Sequence, residues 1–548
     1  MSTSSGDIEL ATLLRSEDKE GDAQTEGPLS EEQGSHEECL QPQENESSSV
    51  LSSESSDNAP KEQDRRRCFL DLHLLPVKLY YFIFMLGAGC IFPFLTVYFR
   101  FVGLSASQNG IVQGIRPFVN CVATPLWGMV GDKLGKVRVI WIVSTFNFIA
   151  FTAILGLIGP SSVTKAIHQG CNCTSVEANF SISEVLDSFN LTLASLCEEV
   201  EENRIDAEVS KFLQLAIIVA IGEFLAAPTL ALADHFAMQA LGNERKGDYG
   251  KQRLWGAVGW GLGAVGGGYV ADGETPCDVK YTMLFIIFIS VSSLGIIAAF
   301  FVCPSKTLSS PVKDKEKNEK ELLPFIQRFK AIFSNPNIIA FLIAIWTLAM
   351  FMILIDNFLF WFLQDLGANQ TLLGLSLAFT CMGEVPVFFI SGRVIARIGH
   401  SGVVYIVFLA YALRFISYSF LSNPWIVLAI ELLHGVTFAL LWAVSTLYAR
   451  HIAPPGLEAS SLSIVSAVYW GLGRGCGGIL GGIAWERYGA RTTFRGAAVM
   501  AVSGCILYWA FCQLRAAMKR GLISFSACRS LCKKSNKYIV HVDNGETS

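Results

Sequence analysis

Residues 109–157 read NGIVQGIRPFVNCVATPLWGMVGDKLGKVRVIWIVSTFNFIAFTAILGL, two apolar runs joined by a short basic turn. Each run has the length an α-helix needs to cross a hydrocarbon core about 30 Å thick, roughly 20 residues. Lys133, Lys136 and Arg138 crowd the turn, and short loops rich in Lys and Arg stay on the cytosolic side of a membrane. The rest of the chain repeats this pattern. Of 548 residues, 51% are hydrophobic and 16% charged, and the mean hydropathy is +0.43, too apolar for water to be the main solvent. The formal net charge of -5 hides an asymmetry, because the residues before Asp64 are rich in Glu, Asp, Ser and Gln while the remainder carries nearly all the Lys and Arg. Charge therefore gives no reason to expect a nucleic-acid partner.

Twelve apolar segments are expected to span, near residues 77–101, 109–130, 137–157, 211–233, 254–270, 282–302, 337–363, 373–391, 403–421, 425–449, 462–483 and 493–514. The predicted fold is an all-α membrane protein with 12 transmembrane helices in two six-helix bundles. Residues 1–64 are expected to be a disordered acidic cytosolic tail, since they lack apolar periodicity and aromatic residues. The first bundle is placed at 65–303, a cytosolic linker at 304–336, the second bundle at 337–515 and a cytosolic tail at 516–548. No charged n-region with a short apolar core opens the chain, so the first span is expected to act as the insertion signal. Glycines at 256, 259, 263 and 267, and at 471, 473, 477 and 481, are expected to let helix backbones approach closely.

Orientation follows from the basic loops after spans two, four and eight, the last carrying Arg393 and Arg397. Both termini are then cytosolic, and the sequons at Asn172, Asn179, Asn190 and Asn369 face the outside or a lumen as glycosylation acceptors. The outer loop 159–210 carries three of these sequons together with Cys171, Cys173 and Cys197, and Cys277 lies in the next outer loop. Disulfides are possible there in an oxidising compartment, with pairing left open. Glu9, Leu13 and Leu14 form an acidic dileucine pattern, so both the plasma membrane and an endosomal or lysosomal membrane are expected addresses.

The halves repeat. Gly128, Asp132 and Gly135 are matched at an offset of 264 residues by Gly392, Ala396 and Gly399. Parallel six-helix repeats joined by a charged linker resemble the major facilitator superfamily, and Gly128-x-x-Gly131-Asp132-Lys133-x-Gly135-Lys136-x-Arg138 resembles its signature between helices two and three. A narrower resemblance runs through Ala227-Pro228, Asp234, Leu241-Gly242, Tyr249-Gly250, Arg253, Trp255-Gly256 and Gly259-Trp260. These look like the helix four to five signature of the lactose-permease-like branch, whose animal members are the major facilitator superfamily domain-containing protein 6 (macrophage MHC receptor homologue) group; Ala257 stands where that family usually has Ser. The resemblance implies gating roles for Asp132, Gly135, Asp234 and Arg253.

Charges within the spans cost at least about 2.5 kcal/mol each at the bilayer centre unless they face a partner or water, so they mark function. Arg116, Arg414 and Arg474 stand against Glu223, Asp234, Asp356, Glu384 and Glu431, with His235 and His434 titratable. Asp234 lies near the cytosolic end, within reach of Arg253. The remaining acids outnumber the arginines, so one is expected to carry a proton in some state. Glu431 and His434 are three residues apart and project from one helical face. The lactose-permease-like symporters pair an arginine on helix nine with a histidine and a carboxylate three apart on helix ten. That resemblance implies Glu431 as proton carrier, His434 as its partner, Arg414 as the cation that promotes release and Glu384 as a further coupling carboxylate. Arg116, Glu223, Asp356, Arg474 and Trp442 are the expected substrate contacts. For Arg116 and Arg474 the alternative is structural neutralisation by a carboxylate across the bundle interface.

No HExxH, GxSxG, Walker pattern or zinc spacing occurs, so neither an enzyme, a cofactor nor a metal is expected. The expected function is proton-coupled symport of a small polar organic solute, sugar or nucleoside-like, by a monomer in the lipid bilayer. The alternative is a transporter-shaped receptor whose outer loop binds a protein such as an MHC class I molecule.

Overall fold

Apolar residues run around the whole circumference of most helices, so the faces are sorted by neighbouring protein and lipid rather than by water. The computed structural model describes residues 74–159, 209–241, 245, 248–273, 279–302, 333, 335–451 and 458–520. All belong to one compact unit, 65–548. The dileucine pattern, residues 305–330 of the linker, the sequons at Asn172, Asn179 and Asn190, and Cys171, Cys173, Cys197 and Cys277 fall outside them, as does the side chain of Asp132.

The chain forms α1 (Leu75–Val102), interrupted by a 3-10 turn at Phe92–Phe94 where Pro93 cannot donate to the helical ladder. There follow α2 (Ala106–Leu134), α3 (Val137–Leu155), α4 (Val209–Leu241), α5 (Tyr249–Ala271) and α6 (Tyr281–Phe300). The second half comprises α7 (Pro336–Asp365), α8 (Gln370–Phe420), α9 (Pro424–Ala449), α10 (458–488) and α11 (Ala490–Lys519). α8 is two limbs joined at Gly399, whose φ of +75° suits a residue without Cβ. Its repeat partner Gly135 ends α2 at φ +63°.

Among the described residues, eight helices are long and apolar enough to cross a membrane. The expected spans two, five and eleven lie on α2, α5 and α10, which are not among the eight. Glycine, polar and charged residues dilute their hydropathy, and α10 is interrupted by a π-helical turn at Ala467–Gly473. These are helices that pack against the other half: α2 lies on α10, and α5 on the first limb of α8.

Glycines govern that packing. Within halves, a Cβ on Gly267 of α5 would sit 2.7 Å from the Cys90 carbonyl of α1, and one on Gly477 of α10 would sit 2.5 Å from the Met350 Cα of α7. Between halves, Gly482 meets the Ala106 carbonyl at 2.5 Å and Gly114 the Gly475 carbonyl at 2.8 Å on the same measure, while Gly374 collides with Ala264. Gly110 and Gly374 lie 18 residues, about five full turns, before Gly128 and Gly392, so each pair shares a helical face. A Cβ on Gly110 would collide with Gly478, yet one on Gly128 or Gly392 would meet nothing within 4 Å. The halves therefore touch at the end away from the basic loops, the far end, and part toward the basic loops, the near end. Arg100 and Asp365 add an ion pair of 2.6 Å between α1 and α7 at the far end, and Trp361 Nε1 donates to the Thr96 carbonyl at 2.7 Å.

Candidate functional site

Two glycines set the central geometry. The first limb of α8 crosses α9 where Gly383 and Gly435 bring backbone against backbone; a Cβ on Gly383 would sit 2.5 Å from the Leu432 carbonyl. This contact sets the neighbouring side chains Glu384 and His434 together, with His434 Nε2 3.0 Å from Glu384 Oε1. The other ring nitrogen, Nδ1, lies 3.3 Å from Arg414 Nη1 on the second limb of α8. Arg414 is fully buried and pairs with Glu431 at 2.8 Å, donates to Thr437 at 2.8 Å and to the Tyr418 hydroxyl at 3.1 Å; Tyr418 donates in turn to Glu431. The result is a continuous chain, Glu384, His434, Arg414, Glu431, Tyr418.

A guanidinium has donors only, so His434 Nδ1 must accept there and Nε2 must carry the proton that it donates to Glu384. In this tautomer the Glu384 carboxylate accepts. Glu431 is 2% exposed and tied to an arginine and a tyrosine, whereas the Glu384 side chain is 24% exposed with a histidine as its partner. Glu431 and His434 thus project to one side as expected, but His434 bridges Glu384 and Arg414.

Beside this chain lies an aromatic group. α9 carries a π-helical turn at Gly435–Leu440 and α10 another at Ala467–Gly473; such turns add a residue to one coil, re-aim the side chains and are common at functional sites. Trp470, 42% exposed, has its ring centroid 5.8 Å from Trp442 and 6.1 Å from Phe438, and Trp442 is 5.8 Å from Tyr469. Arg474 lies over the Trp470 ring at 5.3 Å and binds Asp356 of α7 at 2.8 Å. Trp442 was expected here from its span; Trp470, Tyr469 and Phe438 were not, because a π-turn leaves no periodic signal in composition.

In the first half, Arg116 Nε binds Glu223 at 3.1 Å, Asn120 donates to the same carboxylate at 3.0 Å, and Arg116 lies 4.8 Å over the Phe92 ring. The adjoining cavity, lined by Phe92, Arg116, Phe148 and Glu223 among others, holds 30 Å³, space for about one or two waters. Asp234 accepts from the Tyr81 hydroxyl at 2.5 Å and faces Arg253 at 4.0 Å, with Arg253 5.3 Å over the Tyr81 ring. That cluster joins α1, α4 and α5 at the near end. Gly135 caps α2, and Asn369, exposed, caps α8 by accepting from the Leu372 amide at 3.1 Å.

The alternative reading, in which carboxylates across the bundle interface neutralise Arg116 and Arg474, is corrected: both pairs lie within one half.

Residues 74–496 match the model of the MFS_1 like family. The chain is 24% identical over 474 residues to a Danio rerio protein described as major facilitator superfamily domain-containing protein 6-like, covering 77% of this chain and 84% of that one. It is 24% identical over 416 residues to the maltose permease of Geobacillus stearothermophilus, covering 75% and 87%. Among solved structures, a nucleoside transporter, NupG, superposes with a TM-score of 0.61 at 15% identity, covering 80% of this chain and 99% of that one.

Proposed function

The chain belongs to the MFS_1 like family of the major facilitator superfamily of transporters, and from that premise we propose that it carries a small ring-bearing polar solute in symport with a proton. The relatives' chemistry as transporters excludes an enzyme. The observation that carries the proposal is the partly exposed Glu384 joined through His434 to the buried Arg414–Glu431 pair, next to the open ring of Trp470. In this reading the far end faces outside, and this state is open to the cytosol.

Glu384 is the proton carrier rather than Glu431. Taking Glu431 out of its pair would strand a fully buried guanidinium, whereas Glu384 can take a proton from the open near end without uncovering a cation. With Glu384 neutral, its half can return with no uncompensated carboxylate. His434 holds Glu384 in place and links its protonation to Arg414, because a second proton on the ring has to displace Arg414 from Nδ1. Trp470, Trp442 and Phe438 offer apolar ring faces, and Arg474 and Asp356 offer donors and acceptors to hydroxyls, the combination a sugar or nucleoside needs. The maltose permease and the nucleoside transporter are named for solutes of this kind. Nothing among the described residues favours the receptor reading.

The test is reconstitution into liposomes with maltose, xylose and uridine as probes, recording proton movement for wild type and Glu384→Gln. A solute-evoked proton flux in wild type is expected to vanish in Glu384→Gln, with exchange of labelled for unlabelled solute retained. Solute movement without any proton flux in wild type would overturn the symport reading.

A further inference from the structure

We infer that Asp272 and Glu486 are a matched pair of latch residues that hold the far end shut, each by completing the cap of a helix in the opposite half. The inference rests on the reading of the chain as a carrier whose halves rock. Asp272 follows α5 in the first half, and its carboxylate accepts from the backbone amides of Gln370 at 2.6 Å and Thr371 at 3.1 Å and from the Thr371 hydroxyl, all at the start of α8 in the second half. Glu486 sits in the last turn of α10 in the second half, and its Oε2 accepts from the Ser107 amide at 2.7 Å and the Ser105 hydroxyl at 2.8 Å, at the start of α2 in the first half.

The two capped starts correspond across the repeat. Ser105 and Asn369, the N-caps of α2 and α8, are 264 residues apart, as are Ser107 and Thr371. Each helix satisfies part of its first turn itself: Ser105 Oγ accepts from the Gln108 amide, and Asn369 Oδ1 from the Leu372 amide. Of the amides that remain, Ser107 on one side and Gln370 and Thr371 on the other are handed to a carboxylate from the partner half. Orphan amides and the positive end of the helix dipole favour a carboxylate at that place. A cap supplied from within the same half would survive opening of the far end. These two cannot, because separating α5 from α8, or α10 from α2, returns both carboxylates and amides to water. Since one rigid-body movement breaks both, loosening either latch weakens protection at the other.

The coupling is read by hydrogen exchange of the intact protein in lipid nanodiscs, comparing wild type with Asp272→Asn and Glu486→Gln. Loss of a charge-assisted cap is expected to speed exchange by about tenfold. In Asp272→Asn this rise appears at 370–374 and also at 105–110, where Glu486 is intact, and Glu486→Gln gives the reciprocal pattern. Each variant carries the test alone, and unchanged protection in α3 and α11 shows that it has opened rather than unfolded. A rise confined to the helix whose own carboxylate was changed, or no rise, overturns the latch. Exchange needs no solute and no proton gradient, so this result and the transport result fail independently.

Discussion

The Arg414–Glu431 pair allows a prediction whose magnitude separates single from double variants. Arg414 is exposed to neither lipid nor water, and its four contacts run to Glu431, Thr437, Tyr418 and His434. Glu431→Gln leaves a cation in that setting without its counter-charge, which costs roughly 3–5 kcal/mol. Arg414→Met leaves the opposite charge stranded at a similar cost. The double variant Arg414→Met/Glu431→Leu removes both charges together, and its main debt is the Tyr418 hydroxyl left without partners, about 1–3 kcal/mol. Melting of the detergent-solubilised protein, followed by tryptophan fluorescence in a double-mutant cycle, is therefore expected to rank wild type first, the double variant second and both singles last. Proton-coupled transport is expected to be lost in all three variants. Singles that melt with wild type, or a double that melts below both singles, would refute the claim that the charges stabilise each other rather than merely lying close.

Two further outcomes follow from the same geometry. Trp470→Leu is expected to raise the KM for ring-bearing solutes about tenfold or more, the loss of one stacked face, with little change in maximal rate in reconstituted uptake; an unchanged KM places the solute elsewhere. Gly110→Ala or Gly374→Ala forces a methyl against the opposite backbone, so each is expected to hold the far end apart, seen as faster hydrogen exchange at 105–110 and 370–374 with α3 unaffected.

The membrane fold was legible because a hydrocarbon core imposes length and composition on what crosses it, and the basic turns at 131–138 and after Ser391 punctuate both halves. The count of twelve was read from windows that include α2, α5 and α10, where close packing replaces apolar bulk by glycine; eight helices meet the apolar criterion among the described residues. Helical periodicity places Glu431 and His434 on one face, yet it carries no information on what stands opposite. That Glu384 meets His434 depends on the Gly383–Gly435 crossing, and that Arg474 meets Asp356 within one half depends on how α10 lies on α7. The aromatic group at Trp470 was hidden for a different reason: its π-turn shifts the register by one residue, and no residue type marks that shift. Asp272 and Glu486 lie at helix ends, where a carboxylate reads as an ordinary solvated charge until its partner helix is in place.

The glycine contacts at the far end have a consequence for energy conservation. Protons travel along threads of hydrogen-bonded water far more readily than other ions travel through a closed protein. A carrier driven by a proton gradient loses that gradient if even a single file of water bridges its shut side. Side chains that interlock leave gaps whenever a rotamer hops, but Gly110, Gly478 and Gly482 seat backbone directly on backbone, where there is no rotamer to hop. On the symport reading the bare seam insulates as well as closes, and any methyl added to it should be felt first as a proton leak, before transport slows.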